Sequence, residues 1–382
     1  MRFLVTVSKG LEEAAAQELA DLGLAVMGSS PGLVAFKGGR EDAWRACLWL
    51  RTARRVLQPL GEFPAESAEA LYEGARGLPW QEVMTPDHTF AVEASVRDSA
   101  FNHSGFVALK IKDAAADALR EAFGRRADVD RSDPDVRVVA HISGNLCSVS
   151  LDLSGGPLHK RGYRNRSVAA PLNETLAAGI LRLMGYDGSL PFADPFCGSG
   201  TLCIEAALMA THTAPGLLRK TPFGFQRWPG FDPRPWRQQL EEARKRQRRA
   251  PHSIMGSDID REAVVAAREN ARAAGMKHEV TLEAQSLAAF LPPADSGLMV
   301  TNPPYGEHVG VGEDLPSLYG ALGDILKRRC EGWTAGVLTG NPALGKCIGL
   351  HPKRKIALFN GPMPCKLMVF EIYPGSRKTA KA

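Results

Sequence analysis

Asp194-Pro195-Phe196-Cys197-Gly198-Ser199-Gly200-Thr201 is the stretch that decides the fold of this chain. Pro191 to Asp194 reads as a short strand and Thr201 to His212 as a helix, so the glycines sit in a strand-to-helix turn. In a doubly wound α/β sheet such a turn lies at the carboxyl edge of the strands, where ligands bind. Glycine lets backbone amides approach a bound group, and the helix N-terminus favours a negative one. Two alternatives are disfavoured. No Lys-Ser/Thr pair follows the glycines, as a Walker phosphate loop requires, and no G-x-G-x-x-G pattern marks a dinucleotide site. Asp194, Phe196, Gly198, Gly200 and Thr201 are the candidate cofactor-binding positions of the loop.

Moving downstream, Gly256-Ser257-Asp258-Ile259-Asp260 ends the next expected strand, Ile254 to Asp258. An acidic residue there can accept both ribose hydroxyls of a bound nucleoside. Asp258 takes that role, Ile259 is placed to pack on adenine, and Asp260 is better placed to cap the helix beginning at Arg261. Asp258 follows Asp194 at a far greater distance than the roughly 20 residues of an uninterrupted fold, so residues 213 to 250 are expected to be an insertion.

Asn302-Pro303-Pro304-Tyr305 follows the strand Leu298 to Thr301. Two prolines fix the backbone, so the Asn302 amide oxygen and the Pro303 carbonyl can both face a site. An exocyclic NH₂ donates two hydrogen bonds; two fixed acceptors position it and favour positive charge developing on nitrogen. Tyr305 offers a face for base stacking. Asn302, Pro303 and Tyr305 are the candidate catalytic residues. In-line attack of an amine on an activated methyl group needs no covalent intermediate, and no cysteine lies in the turn, so a thiolate nucleophile is set aside; Cys197 reads as a packing residue. The turn alone does not choose among adenine N6, cytosine N4 and guanine N2.

Around these motifs the chain reads as several units. At 382 residues it exceeds one ordinary domain. The first sixty residues alternate strand and helix: Phe3 to Val7, Leu11 to Leu22, Gly32 to Phe36, Glu41 to Leu50. A second α+β unit follows, with a strand at Thr89 to Val96, a helix at Phe106 to Phe123 and a hairpin of Val136 to Ile142 with Leu146 to Leu153. Past Ser154-Gly155-Gly156-Pro157 comes the alternating α/β part, with an amphipathic helix at Pro171 to Met184 and further strands at Ala335 to Thr339 and Lys366 to Ile372. The net charge of +5 and pI near 8.8 are compatible with a polyanionic partner without requiring one. Two basic segments, His159 to Arg166 and Arg244 to Arg249, are candidate nucleic-acid contacts or solvated faces. Trp228 and Trp236, among Phe223, Phe225 and Phe231, read as core rather than as a stacking platform. Seven cysteines without a Cys-x-x-Cys pair fit reduced thiols in a cytoplasm and argue against a zinc site, and neither a signal peptide nor a membrane span is expected.

The order Leu158-His159-Lys160-Arg161-Gly162-Tyr163-Arg164, then Ala170-Pro171-Leu172-Asn173-Glu174-Thr175-Leu176-Ala177-Ala178, then the glycine loop, resembles the THUMP-containing RNA guanine-N2 methyltransferases, and most nearly their bacterial 23S rRNA branch. Ala214-Pro215-Gly216, Phe223-Gly224-Phe225, Trp228-Pro229-Gly230 and Asn302 to Glu307 match the same pattern, so the resemblance spans nearly the whole chain. It implies an α/β fold: a Rossmann-like S-adenosylmethionine-dependent methyltransferase domain at 160–375, preceded by a ferredoxin-like domain at 1–60 and a THUMP RNA-binding domain at 61–155, with a disordered basic tail at 376–382. The implied cofactor is S-adenosylmethionine and the implied partner is RNA, 23S rRNA before tRNA, with neither metal nor membrane. Glu174 is expected beside the methionine end of the cofactor. Where the family has an acidic residue near the adenine amino group this chain reads Glu283-Ala284-Gln285-Ser286, so Ser286 or a backbone group is expected to replace that contact. Some relatives carry a second methyltransferase domain; here any second activity is expected to be absent or on another polypeptide.

Overall fold

The computed structural model describes residues 1–166, 171–306 and 314–373. Glu307 and the tail expected at 376–382 lie outside the described residues. The chain opens with β1 (Arg2–Val7), α1 (Glu12–Asp21), β2 (Ala25–Ser30), β3 (Leu33–Lys37), α2 (Arg40–Trp49) and β4 (Ala53–Pro64). It continues through α3 (Ala68–Arg76), β5 (Phe90–Arg97), α4 (Ser104–Phe123), β6 (Val136–Ser143) and β7 (Leu146–Asp152). All seven strands belong to one sheet of order β2-β3-β1-β4-β7-β6-β5. Strand β4 joins its halves. Residues before Leu57 pair with β1, those after it with β7, and Leu57 itself faces both Leu4 and Asp152. Residue 60, where a domain boundary is expected, therefore lies inside a strand.

The sequence patterns miss two of these strands. In β4, Pro59 and Gly61 read as breakers, but they flank a bulge, which is where a sheet tolerates a missing N–H. Every residue of β2 is exposed, so this edge strand has no buried face to produce alternation.

The second half begins with α5 (Glu174–Leu183), β8 (Phe192–Asp194), α6 (Thr201–Ala210), α7 (Pro233–Lys245), β9 (Ile254–Asp258) and α8 (Arg261–Ala273). Then come β10 (Thr281–Ala284), β11 (Gly297–Thr301), α9 (Leu315–Arg329), β12 (Trp333–Thr339), α10 (Pro342–Cys347), β13 (Arg354–Asn360) and β14 (Met363–Glu371). The amphipathic helix expected from Pro171 starts instead at Glu174, because the Asn173 side chain caps it by accepting from Thr175 N. The sheet order is β10-β9-β8-β11-β12-β14-β13, parallel except for β14. Asp194, Asp258 and Thr301 end β8, β9 and β11, so the residues after these three strands emerge along one edge. The strand order reverses between β8 and β11, which makes this the ligand crevice of a doubly wound sheet.

Residues 213–250 are an insertion with a packing role. Phe225 stacks on Trp44 of α2 at 5.1 Å, and Trp236 meets Phe225 edge-on at the same separation. At Gly216 a Cβ would lie 2.8 Å from the Leu48 backbone, and at Gly179 one would lie 2.5 Å from Leu11. One continuous hydrophobic core thus runs from α1 and α2 into the second sheet, whereas Trp80, Val107 and Ile111 lie in a separate cluster between α3, α4 and β5–β7. The first fifty residues are bolted to the second half of the chain, which fixes how the N-terminal sheet is presented to its crevice.

Candidate active site

The glycine loop is held by backbone contacts across the strand ends. Cys197 N donates to Ser257 O at 2.9 Å and Gly198 N to Asp258 Oδ2 at 2.8 Å. Gly200, with φ of +83°, is the N-cap of α6, and a Cβ there would sit 3.0 Å from Ala267 Cβ on α8. Conformation and packing both demand glycine. Burial pushes the Cys197 thiol pKa well up, so it is no nucleophile.

Asp194 is buried at the end of β8. Its Oδ1 accepts from Thr301 Oγ1 at 2.7 Å and from Phe196 N at 3.1 Å. The first bond ties the residue before Asn302 directly to the start of the glycine loop, and so brings the two motifs together. Burial, helped by the nearby Asp258 charge, raises the Asp194 pKa to about 7 despite those two bonds. Asp258, half-buried, holds Gly198 N with one oxygen and Asp260 N with the other, at 3.0 Å. Burial raises its pKa too. Each oxygen keeps a lone pair for a further donor. Ile259 beside it is 77% exposed, an apolar surface at a ligand edge. Asp260 caps α8 through Glu262 N, as expected from its position.

Asn302 carries the most telling atom. Its Oδ1 is buried and has no hydrogen-bond partner, an expensive condition for an amide oxygen unless a donor is supplied. Pro303 beside it is buried. The Tyr305 ring packs against the cluster that also receives Phe196, and lies about 3 Å from where a Cβ on Gly340 would stand. At the other end of the crevice Ser286 is exposed, and Gln285, which sequence reasoning passed over, is the better-committed residue. Gln285 N donates to Asp258 O at 3.0 Å, while its Nε2 is buried without a partner.

The basic segment 159–166 corrects an expectation. Arg161, Tyr163 and Arg164 do not form a nucleic-acid face, because their side chains turn inward. Arg161 is 2% exposed and pairs with the fully buried Glu205 of α6, at 3.3 Å. Tyr163 OH donates to the same carboxylate at 3.1 Å. Arg164 Nε donates to Glu174 Oε1 at 2.8 Å, and its Nη atoms reach Ser199 Oγ, Thr201 Oγ1 and the Leu172 carbonyl. Glu174 is buried and held to the glycine loop through this guanidinium. A signal for the first pairing was present in the sequence: Glu205 stands alone in an apolar helix and must have a partner. The second basic segment, Arg244 to Arg249, is exposed throughout.

With this crevice on a sheet of that order, the chain has the architecture of a Rossmann-like methyltransferase with an N-terminal α+β module. A match to the RMKL-like methyltransferase domain covers residues 161–368, a THUMP domain matches 65–152, and a ferredoxin-like domain of the RlmL type matches 2–57. The chain belongs to the RMKL-like methyltransferase family. It is 44% identical, over 97% of its length, to ribosomal RNA large subunit methyltransferase K/L of Syntrophotalea carbinolica. The match spans 54% of that protein, so the chain spans about half the length of this K/L relative. A Synechocystis protein provisionally named RNA methyltransferase slr0064 is 40% identical over 97% of each chain. Among solved structures, SMU.472, a provisionally named methyltransferase complexed with SAH, superposes with a TM-score of 0.90 at 30% identity, covering 98% of this chain and 99% of that one. No helix among the described residues is long and apolar enough to cross a membrane.

Proposed function

We propose that the chain transfers the methyl group of S-adenosylmethionine to N2 of a guanosine in 23S rRNA. The observation that carries the chemistry is the buried, partnerless Asn302 Oδ1, set one residue after the Thr301–Asp194 bond that joins it to the glycine loop. Large-subunit RNA as the substrate is supported by the name of the K/L relative, and guanine by the motif resemblance of His159 to Ala178 together with the upstream module.

When bound, S-adenosylmethionine supplies a methyl group on a positively charged sulfur: the N2 lone pair forms the new C–N bond, the sulfur keeps the electron pair of the broken bond, and one N2 proton is released. The protein's part is positioning. Asn302 Oδ1 and the Pro303 carbonyl accept the two amine hydrogens, orient the lone pair and favour the charge that develops on nitrogen. Tyr305 stacks on the base. Gly198 and Gly200 admit the cofactor to the loop backbone, Asp194, Phe196 and Thr201 shape that loop, and Asp258 takes the ribose hydroxyls. Ile259 covers one adenine face, Gln285 and Ser286 border its edge, and Glu174 lies toward the methionine end.

Radiolabelled methyl transfer to purified 23S rRNA, tRNA and DNA, followed by nucleoside analysis, tests the reading. The expected product is N2-methylguanosine from 23S rRNA. Label found solely in tRNA would move the substrate, and label found solely as N6-methyladenosine would overturn the guanine assignment.

A further inference from the structure

A cleft of about 600 Å³ lies beside the crevice without including any residue of the glycine loop. Its walls are the strap from His159 to Arg164, the start of α5 from Pro171 to Glu174, and the turn between β13 and β14 at Asn360-Gly361. We infer that this cleft holds the RNA backbone next to the target nucleotide, with Lys160 as a phosphate contact; the inference rests on the RNA reading above.

Topology places the cleft alongside the reacting centre. Strand β13 runs parallel to β12, so Asn360 at its carboxyl end shares an edge with Asn302. Met363, paired with Asn360 across the turn, would be 3.2 Å from a Cβ on Gly340, which itself abuts the Tyr305 ring. One end of the cleft thus lies toward the Asn302–Tyr305 turn, with Met363 and Gly340 between them. The other end is bounded by Glu174, whose partner Arg164 holds the glycine loop. The volume falls within the roughly 300–1,000 Å³ of ordinary ligand clefts, enough for a nucleotide.

Charge selects the occupant. Arg161 and Arg164 line the cleft, but Glu205 and Glu174 neutralise them. Burial lowers the His159 pKa; the Glu174 charge opposes it and the charges of Arg54, Arg161 and Lys160 add to it, so the net shift is downward and the ring adds little positive charge at neutral pH. Lys160 is exposed and forms no salt bridge among the described residues. Arg54 is likewise exposed and unpaired among them, and lies close enough to act on His159. Its carbonyl accepts from Leu158 N at 2.8 Å, so it stands where the N-terminal sheet hands the chain to the strap. An uncompensated lysine in the wall of a nucleotide-sized cleft, with the unpaired Arg54 outside the wall but near His159, suits a phosphodiester backbone. Asn360 makes no side-chain hydrogen bond among the described residues and adds a neutral donor on the far wall.

The test uses the full chain with protein-free 23S rRNA, measuring KM for RNA across a potassium chloride series and S-adenosylmethionine affinity by calorimetry. Lys160→Ala is expected to raise the RNA KM about fivefold at physiological salt and to lower the slope of log KM against log salt by about one. Adding Arg54→Ala lowers the slope again, Lys160→Arg restores it, and cofactor affinity stays within about twofold. A double alanine variant with the wild-type KM and slope overturns the cleft while leaving the function reading intact. Lost cofactor affinity that Lys160→Arg does not restore also overturns it, since that marks a structural role. A wild-type chain that methylates no guanosine in RNA overturns both.

Discussion

Arg161 and Arg164 stand three residues apart on one strap, and each is paired with a glutamate, yet the two pairs do different work. Arg161 is sealed between the N-terminal module and α6, where its guanidinium also donates to the backbone carbonyls of Leu158 and Arg51. Desolvation alone would lower its pKa, but the Glu205 charge and hydrogen bonds outweigh burial, and the net shift is upward. Arg164 is 19% exposed and spends its donors on Glu174 and on Ser199 and Thr201 of the glycine loop. One arginine joins two modules, and the other joins the strap to the crevice. A basic run in sequence is therefore a poor guide to a nucleic-acid face unless the carboxylates that neutralise it are known.

The two pairs should differ most at Glu205. Glu205→Ala leaves Arg161 charged and buried without its partner, which should cost about 3–5 kcal/mol. A large fall in the thermal midpoint is expected, and the double change Arg161→Met with Glu205→Leu should recover most of it. A loss below about 1 kcal/mol would mean that the pair does not hold the modules together.

Asp194 is a buried carboxyl without an arginine partner among the described residues. Its folded pKa, about 7, lies above the ordinary value of 3.8, so the unfolded chain gives up this proton first. The contribution of the neutral carboxyl is complete at low pH and is lost as pH rises from about 4 through about 7. Asp194→Asn should accordingly gain stability relative to wild type over that window, and hold the gain above it. Paired denaturation curves at pH 5 and pH 8 measure the difference. An unchanging difference would place the Asp194 pKa near its usual value.

Arg164→Met is expected to give the smallest stability effect, about 1–3 kcal/mol, because the buried Glu174 it leaves unpaired borders the cleft, whereas Arg161 is sealed in the core. Its effect should appear in cofactor affinity, weakened about tenfold, equivalent to roughly 1.4 kcal/mol, as Glu174 and the glycine loop lose their common brace. Calorimetry distinguishes this from the Glu205 variant, whose loss is in folding. If Arg164→Met destabilises as much as Glu205→Ala, the two pairs are alike and the comparison fails.

Local chemistry made the crevice legible. Gly198, Gly200, the Asp258 strand end and the two prolines after Asn302 each announce a turn or terminus within a few residues, and the structure brings those turns to one edge. The strap was not legible in this way, because Arg161 meets a carboxylate 44 positions away and nothing near it signals the pairing except the isolated Glu205. Strand β4 was hidden by Pro59 and Gly61, and β2 by its lack of a buried face. Ser286 was singled out from a family position, whereas the neighbouring Gln285 carries the partnerless amide. Tertiary placement, not residue type, separates those two.

Asn302 is the residue on which methyl transfer most directly depends. Single-turnover methyl transfer and S-adenosylmethionine affinity should be measured together for Asn302→Ala. Turnover is expected to fall by about a hundredfold or more, the scale for losing one preorganised hydrogen-bonding group, while cofactor affinity stays within about twofold. Retained turnover, or lost cofactor binding, would contradict the assignment of Asn302 Oδ1 to the target amine.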